Sequence, residues 1–124
     1  GYHSGISPKQ DTAKWVQVDL GASVKLANVV LKPCHDDFNN IGAGFGFPVR
    51  FRVEVSDDAT FATGTVIADE TASDYPNPGM SPYSAKAGAA GRYIRVTATK
   101  LASRQNDYIL ALAELEALDA DGTN

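Results

Sequence analysis

The residues best equipped for chemistry gather in three stretches. Tyr2 and His3 open the chain, His35, Asp36 and Asp37 follow a proline, and Arg104, Asn106, Asp107 and Tyr108 stand near its far end. Both histidines of the chain belong to this set. Carboxylates and amides read hydroxyl groups, arginine donates two hydrogen bonds in a fixed fork, and an aromatic ring stacks on an apolar C–H face. Together these types suit a ligand rich in hydroxyls that also has apolar faces. Each also has a plainer role. Pairs such as Asp36-Asp37 and Asn39-Asn40 are common in solvated turns. His35 by itself reads as a surface histidine, and Arg104 could simply pair with Asp107 or Asp37. Phe38, Phe45 and Phe47 read as packing residues, while Tyr75 and Tyr83 divide evenly between packing and ligand contact. The functional reading therefore rests on whether the fold brings the three stretches together.

Other chemistries have less support. The run Gly42-Ala43-Gly44-Phe45-Gly46-Phe47 lacks the Gly-Lys-Ser/Thr ending of a phosphate loop and leads into a strand instead of a helix. His3, His35 and a neighbouring Asp meet the three-ligand count of a catalytic zinc and form a minor reading. Asp36 and Asp107 are the one acid pair to test for glycoside hydrolysis, which needs two carboxyls facing each other across a cleft. Cys34 and His35 are adjacent, so their side chains point apart, and no third group orients them. A catalytic role has the least support.

The elements that must position these residues are strands. In Val49-Arg50-Phe51-Arg52-Val53-Glu54-Val55, apolar and charged residues alternate, as on a strand with one buried and one wet face. Trp15–Leu20 and Tyr93–Thr99 read the same way, with Val16, Val18, Leu20, Ile94, Val96 and Ala98 inward. Ala27–Lys32 is a short apolar run ended by Pro33, and 65–68 is a weaker strand. Turn residues separate them at Gly21-Ala22-Ser23, at 56–60, at Pro76-Asn77-Pro78-Gly79 and at Gly88-Ala89-Ala90-Gly91. Short strands with no βαβ spacing indicate an all-β, antiparallel β-sandwich or jelly roll. One segment leaves two readings open: Ile109–Leu118 consists almost wholly of good helix formers inside an all-β pattern.

Length and charge narrow the field. The chain has 124 residues, enough for one packed core, and 44% are hydrophobic, as in ordered globular proteins. Its net charge of −4 argues against nucleic acid as a partner, because phosphates must be neutralised by bases. No apolar run reaches the ~18 residues of a membrane helix. The single cysteine, Cys34, excludes an internal disulfide and any multi-cysteine zinc site. With neither an initiator methionine nor a secretory leader, the chain reads as one domain, 1–124, taken from a longer protein.

The order of the pieces resembles a known family. Thr12-Ala13-Lys14-Trp15-Val16-Gln17-Val18-Asp19-Leu20-Gly21 is followed by Val29-Val30-Leu31, then by 51–58, by Arg92-Tyr93-Ile94-Arg95-Val96 and by Ala113-Glu114-Leu115-Glu116. This ordered set is similar to the discoidin-like, galactose-binding-like β-sandwich domains, over roughly residues 12–118. Members include bacterial carbohydrate-binding modules appended to glycoside hydrolases. The resemblance implies that Ala113–Glu116 lies in a final strand and that a further strand precedes residue 1. It implies a structural calcium held by loop oxygens and a carboxylate, with Thr12 and Glu114 in the matching positions; the Asp-Gly usual before that Thr is absent, the loop reading Ser4 to Asp11.

Strand order then fixes where the loops fall. Sequential antiparallel strands send successive connections to alternate ends. The turns at Gly21, 56–60 and 88–91 share one end. The segment before Trp15, the 33–48 loop, the 73–83 loop and 103–108 share the other, and long loops in compact domains commonly carry function. The expectation is a non-catalytic carbohydrate-binding module of a secreted or envelope-associated bacterial enzyme. Its ligand would meet Tyr2, His3, His35, Asp36, Asp37, Arg104, Asn106, Asp107 and Tyr108. The alternative is an adhesion or protein-interaction domain on the same scaffold.

Overall fold

A computed structural model of the chain describes residues 2–3, 13–33, 47–76, 78, 81–104, 107–112 and 114–119. These form nine strands and, among the described residues, no helix. The strands are β1 (Tyr2–His3), β2 (Lys14–Lys32), β3 (Arg50–Ser56), β4 (Thr65–Glu70), β5 (Tyr83–Lys100), β6 (Ala102–Arg104), β7 (Asp107–Ile109), β8 (Ala111–Leu112) and β9 (Glu114–Leu118). The main sheet has the order β4-β3-β5-β2-β9, and two small pairs, β1-β8 and β6-β7, accompany it. Every pairing is antiparallel.

The backbone of the fold is one long ribbon, β2 against β5. Its register runs from Lys14↔Ala98 to Asp19↔Tyr93, shifts, resumes from Val24↔Gly91 to Leu26↔Ala89, shifts again by one residue, and continues from Asn28↔Lys86 to Leu31↔Tyr83. The turn residues Gly21-Ala22-Ser23 and Gly88–Gly91 therefore lie inside continuous strands, where the reading of the sequence expects turns between separate ones. Gly21 and Gly88 adopt positive φ, 84° and 56°, and the three extra residues on β2 force a bulge that bends the ribbon. Asp19 locks the bend: its carboxylate accepts the Gly21 N–H at 2.8 Å and a two-pronged contact from Arg92, at 2.7 and 3.0 Å.

The bend folds the ribbon into two facing layers. Along an extended strand the residues from Lys14 to Leu31 would span about 55 Å. Yet Tyr83, paired with Leu31, stacks edge-on against Phe51, paired with Ala98, at 5.0 Å between ring centroids. One layer is β4-β3 with the second half of β5 and the first half of β2; the other is the remaining halves with β9. Between them lies one core: Leu26, Val29, Leu31 and Ala117 from one side, Phe51, Val53, Val55, Ile94 and Val96 from the other. The alternation in 49–55 is observed as read, with Phe51, Val53 and Val55 no more than 1% exposed. Each such side chain contributes roughly 1.5–3 kcal/mol by leaving water.

The ambiguous C-terminal segment is strand. β9 pairs with β2 from Lys32↔Glu114 to Asn28↔Leu118. Leu115 and Ala117 turn to the core, and Glu116 on the other face meets Lys32 Nζ at 2.7 Å. Pairing and burial override the helical propensity of Ala, Leu and Glu.

Candidate functional site

Folding the ribbon back carries the ends of nearly every strand to one rim. The amide of Val49, just before β3, donates to the carbonyl of Lys100, the last residue of β5, at 3.0 Å. The amide of Tyr75, in the stretch after β4, donates to the carbonyl of Val49 at 2.7 Å. The stretches after β2, after β4 and after β5 thus meet side by side. Beneath them Phe47, Phe51, Tyr75 and Tyr83 form a cluster of rings, with centroids 5.0–5.8 Å apart. Phe47 packs as expected, and for Tyr75 and Tyr83 the open choice falls to packing. The Tyr83 hydroxyl donates to Glu70 at 2.9 Å. Burial, with the carboxylate of Glu70 beside it, pushes that phenol well above the ordinary tyrosine range.

A second small core supports the hairpin at this rim. Leu101 and Leu110, with Ala98, are fully buried. Between these two leucines the chain leaves as β6 and returns as β7, with Arg104 opposite Asp107 and Ser103 opposite Tyr108 in the register. Two residues, Gln105 and Asn106, separate the strands, a common hairpin length. The chain continues into β8, whose Leu112 and Ala111 pair with Tyr2 and His3 of β1. Glu114 then opens β9 opposite Lys32, the last residue of β2 before Pro33.

The structure thus brings several of the expected site residues onto neighbouring backbone. Tyr2 and His3 pair beside the segment that follows Tyr108, and Arg104 and Asp107 are cross-strand partners. His35, Asp36, Asp37, Asn106 and Thr12 lie outside the described residues. Glu114 is placed on β9 at the rim. Among the described residues, no group of three or more His, Cys, Asp or Glu could hold a metal ion.

Sequence reasoning missed two arrangements. Asp74 receives Arg50 Nε at 2.8 Å and Lys100 Nζ at 2.9 and 3.0 Å, and these hydrogen bonds hold its carboxyl below the usual carboxylate range. On the outer face of the β4-β3 layer, the Arg95 guanidinium lies over Trp15 at 4.1 Å and over Phe61 at 4.5 Å, while donating to Gln17 and to the Ala59 carbonyl. No local pattern announces either one, because each joins positions distant in sequence. The opposite end of the molecule carries a groove of about 320 Å³ lined by Lys25, Leu26, Ala27, Gly88, Ala89 and Ala90. Apart from Lys25 its lining is apolar, and it offers no carboxylate or side-chain amide to read a hydroxyl.

With this geometry in view, comparison with known proteins is direct. The sequence profile of the F5/8 type C domain matches residues 1–115. The chain belongs to that family. No curated protein sequence matches it. Solved structures share the fold. CpGH89CBM32-5 from Clostridium perfringens, in complex with GalNAc-β-1,3-galactose, superposes with a TM-score of 0.65 at 16% identity, over 94% of this chain and 73% of that one. The family 32 carbohydrate-binding module of C. perfringens NanJ, in complex with galactose, gives 0.63 at 14%, over 93% and 73%. The lectin domain of Lectinolysin, complexed with Lewis B antigen, gives 0.57 at 20%, over 95% and 70%. The sandwich expected from the strand pattern is therefore that of an F5/8 type C domain.

Proposed function

We propose that this F5/8 type C domain is a non-catalytic carbohydrate-binding module whose ligand sits on the rim where the stretches after β2, β4 and β5 meet. The observation that carries the reading is the hydrogen-bonded line Tyr75–Val49–Lys100, which joins the roots of the segments bearing His35, Asp36 and Asp37 on one side and Arg104, Asn106, Asp107 and Tyr108 on the other. Tyr2 and His3, beside β8, complete the set. Those side-chain types suit hydroxyls and sugar faces. Three solved relatives of the same fold hold galactose, GalNAc-β-1,3-galactose and Lewis B antigen, which supports the same ligand class here. Affinity in the micromolar to millimolar range is expected, since one to three sugar rings bury little surface.

The reading extends to context. A module of this kind would tether a secreted or envelope-associated bacterial enzyme to a polysaccharide, with other domains of that protein as neighbours. A structural calcium near Thr12 and Glu114 is part of the same proposal, and a melting temperature lowered by chelator is its test.

A protein-interaction role would draw on exposed apolar side chains. Trp15 and Val66, each 51% exposed, are the large ones among the described residues. They stand on β2 and β4 with β3 and β5 between them, so they form no common patch. The deciding experiment is a glycan array of the whole chain followed by titration with galactose and GalNAc-β-1,3-galactose. Binding lost in His35→Ala and Arg104→Ala, with the fold intact, supports the proposal. Binding to a protein and to no glycan refutes it.

A further inference from the structure

The three segments that meet at the rim are fastened by a single carboxylate. Asp74 lies in the stretch between β4 and β5 and receives Arg50 Nε at 2.8 Å and Lys100 Nζ at 3.0 Å on Oδ1 and 2.9 Å on Oδ2. Arg50 is the first residue of β3, immediately after the long 33–49 connection. Lys100 is the last residue of β5, one residue before Leu101, from which the β6–β7 hairpin leaves. The backbone repeats the same three-way tie one step away, Tyr75 N–H to Val49 C=O and Val49 N–H to Lys100 C=O. Two cations therefore converge on one anion at the point where the first segment ends, the second passes and the third begins. Without that negative charge, Arg50 and Lys100 would stand side by side as like charges.

We propose that Asp74 is the positioning residue of the binding rim, holding its own stretch, 71–76, and the roots of the other two segments in the register that a ligand requires. The inference rests on the carbohydrate-binding reading. Asp74 acts through other groups, because its carboxylate is bonded to Arg50 and Lys100 and it is not among the residues assigned to the ligand. It is half-exposed, and exposed ion pairs add little to overall stability. The rings of Phe47, Phe51, Tyr75 and Tyr83 beneath it hold the layers together without it. Its removal therefore registers in binding geometry more than in melting.

The test is calorimetric titration of the whole chain with galactose and GalNAc-β-1,3-galactose, for the wild type, Asp74→Asn and Asp74→Glu. Asp74→Asn keeps the volume and removes the charge. It is expected to weaken binding about threefold to tenfold, the size usual for one member of a coupled network, while Asp74→Glu restores part of the loss. Lys100→Gln, which removes one of the two partners, gives a smaller loss in the same direction. Raising sodium chloride from about 0.05 to 0.5 M weakens wild-type binding toward that of Asp74→Asn and leaves the variant nearly unchanged. Hydrogen exchange at the Tyr75 and Val49 amides speeds up in the variant. Equal affinity in wild type and Asp74→Asn overturns this inference alone. A wild type that binds neither sugar overturns the carbohydrate reading, and this inference with it.

Discussion

Gly91→Ala is the substitution whose cost follows most directly from the fold. Gly91 lies on β5 where the ribbon bends and is buried against the end of β3. A Cβ built there would overlap Val55 Cγ1 and would stand 3.0 Å from the Ser56 nitrogen and 3.1 Å from the Ser56 oxygen. None of these neighbours yields cheaply. Val55 is 1% exposed and β-branched, so it has no spare rotamer, and Ser56 meets the new atom with its backbone. Ser56 is itself held, its hydroxyl donating to the Thr63 carbonyl at 2.5 Å and accepting the Asp58 amide at 2.9 Å. Overpacking of a core costs about 1–3 kcal/mol, and rigid neighbours on two sides put this case at the upper end, about 3 kcal/mol. At about 4 °C per kcal/mol for a chain of this size, the melting temperature falls by roughly 12 °C. The assay is urea denaturation followed through Trp15, the one tryptophan of the chain, with an unchanged slope and a shifted midpoint. Val55→Ala alone costs about 1–3 kcal/mol by leaving a cavity. The double variant costs at least about 1 kcal/mol less than the sum, because the new Cβ enters the space of the lost Cγ1. Gly88→Ala separates the two reasons for glycine: nothing lies within 4 Å of its Cβ, and only its φ of 56° opposes a side chain, at about 1 kcal/mol. A Gly91→Ala loss under about 0.5 kcal/mol, or additivity with Val55→Ala, refutes the close approach at the bend.

Other consequences follow from side-chain contacts. Arg95→Ala removes the cation between Trp15 and Phe61; about 1 kcal/mol of stability is lost and Trp15 emission shifts, whereas Gln17→Ala leaves the ring contact and moves emission less. Hydrogen bonds and nearby cations hold Asp19 down to about 2 and lower Asp58, Asp69 and Asp74 as well. Carboxyls depressed by folding stabilise the native state above their unfolded value near 4 and lose that contribution as pH falls through the folded value, so the melting temperature is expected to drop between about pH 4 and 2, and less steeply in Asp19→Asn. The phenol of Tyr83 has the opposite sign: raised by folding, it stabilises below the ordinary tyrosine value near 10 and loses that contribution at higher pH. Tyr83→Phe should cost about 1 kcal/mol at neutral pH through the lost bond to Glu70 and flatten the alkaline limb of the stability curve.

What could be read from the sequence was whatever is written locally. The alternation in 49–55 and 93–98 records which side of a strand is wet; Phe51, Val53, Val55, Ile94, Val96 and Ala98 face inward as read, while Thr97, on the face read as wet, is buried as well. Turn chemistry at Gly21 and Gly88 marks a change of direction but not whether strand pairing is interrupted. Both were expected to separate strands, and both lie within one ribbon. The described strand ends from which the loops leave fall on the expected ends, because a ribbon bent through its own bulge reverses the chain as a turn does. The run 109–118 stayed open on composition, since Ala, Leu and Glu favour a helix until an open strand edge on β2 offers hydrogen bonds and a core; the final strand that the resemblance implied is what forms there. The clasp of Asp74 with Arg50 and Lys100 was illegible for another reason. It joins residues 24 and 26 positions apart, and nothing in an exposed Asp of a turn-rich stretch distinguishes it from its neighbours.

The bend and the rim are two ends of one device. A β-sandwich needs its layers to face each other, and here two strands pass through both layers, so the irregularities of this one ribbon, the larger at 19–24 and the smaller at 26–28, decide how far their ends travel back. Asp19, Gly21 and Arg92 hold the larger one, and Gly91 lets β5 lie against β3 at the same level. At the far end, Tyr83 of one layer reaches Phe51 and Glu70 of the other, and the chain segments leaving both layers become neighbours. The segments proposed to read a sugar share no sequence proximity, and their described roots become neighbours only through this closure. The Val-Asp-Leu-Gly stretch at 18–21 lies at the end remote from the candidate ligand site. It sets the angle at which the ribbon folds back, and with it where the described roots of the rim segments meet.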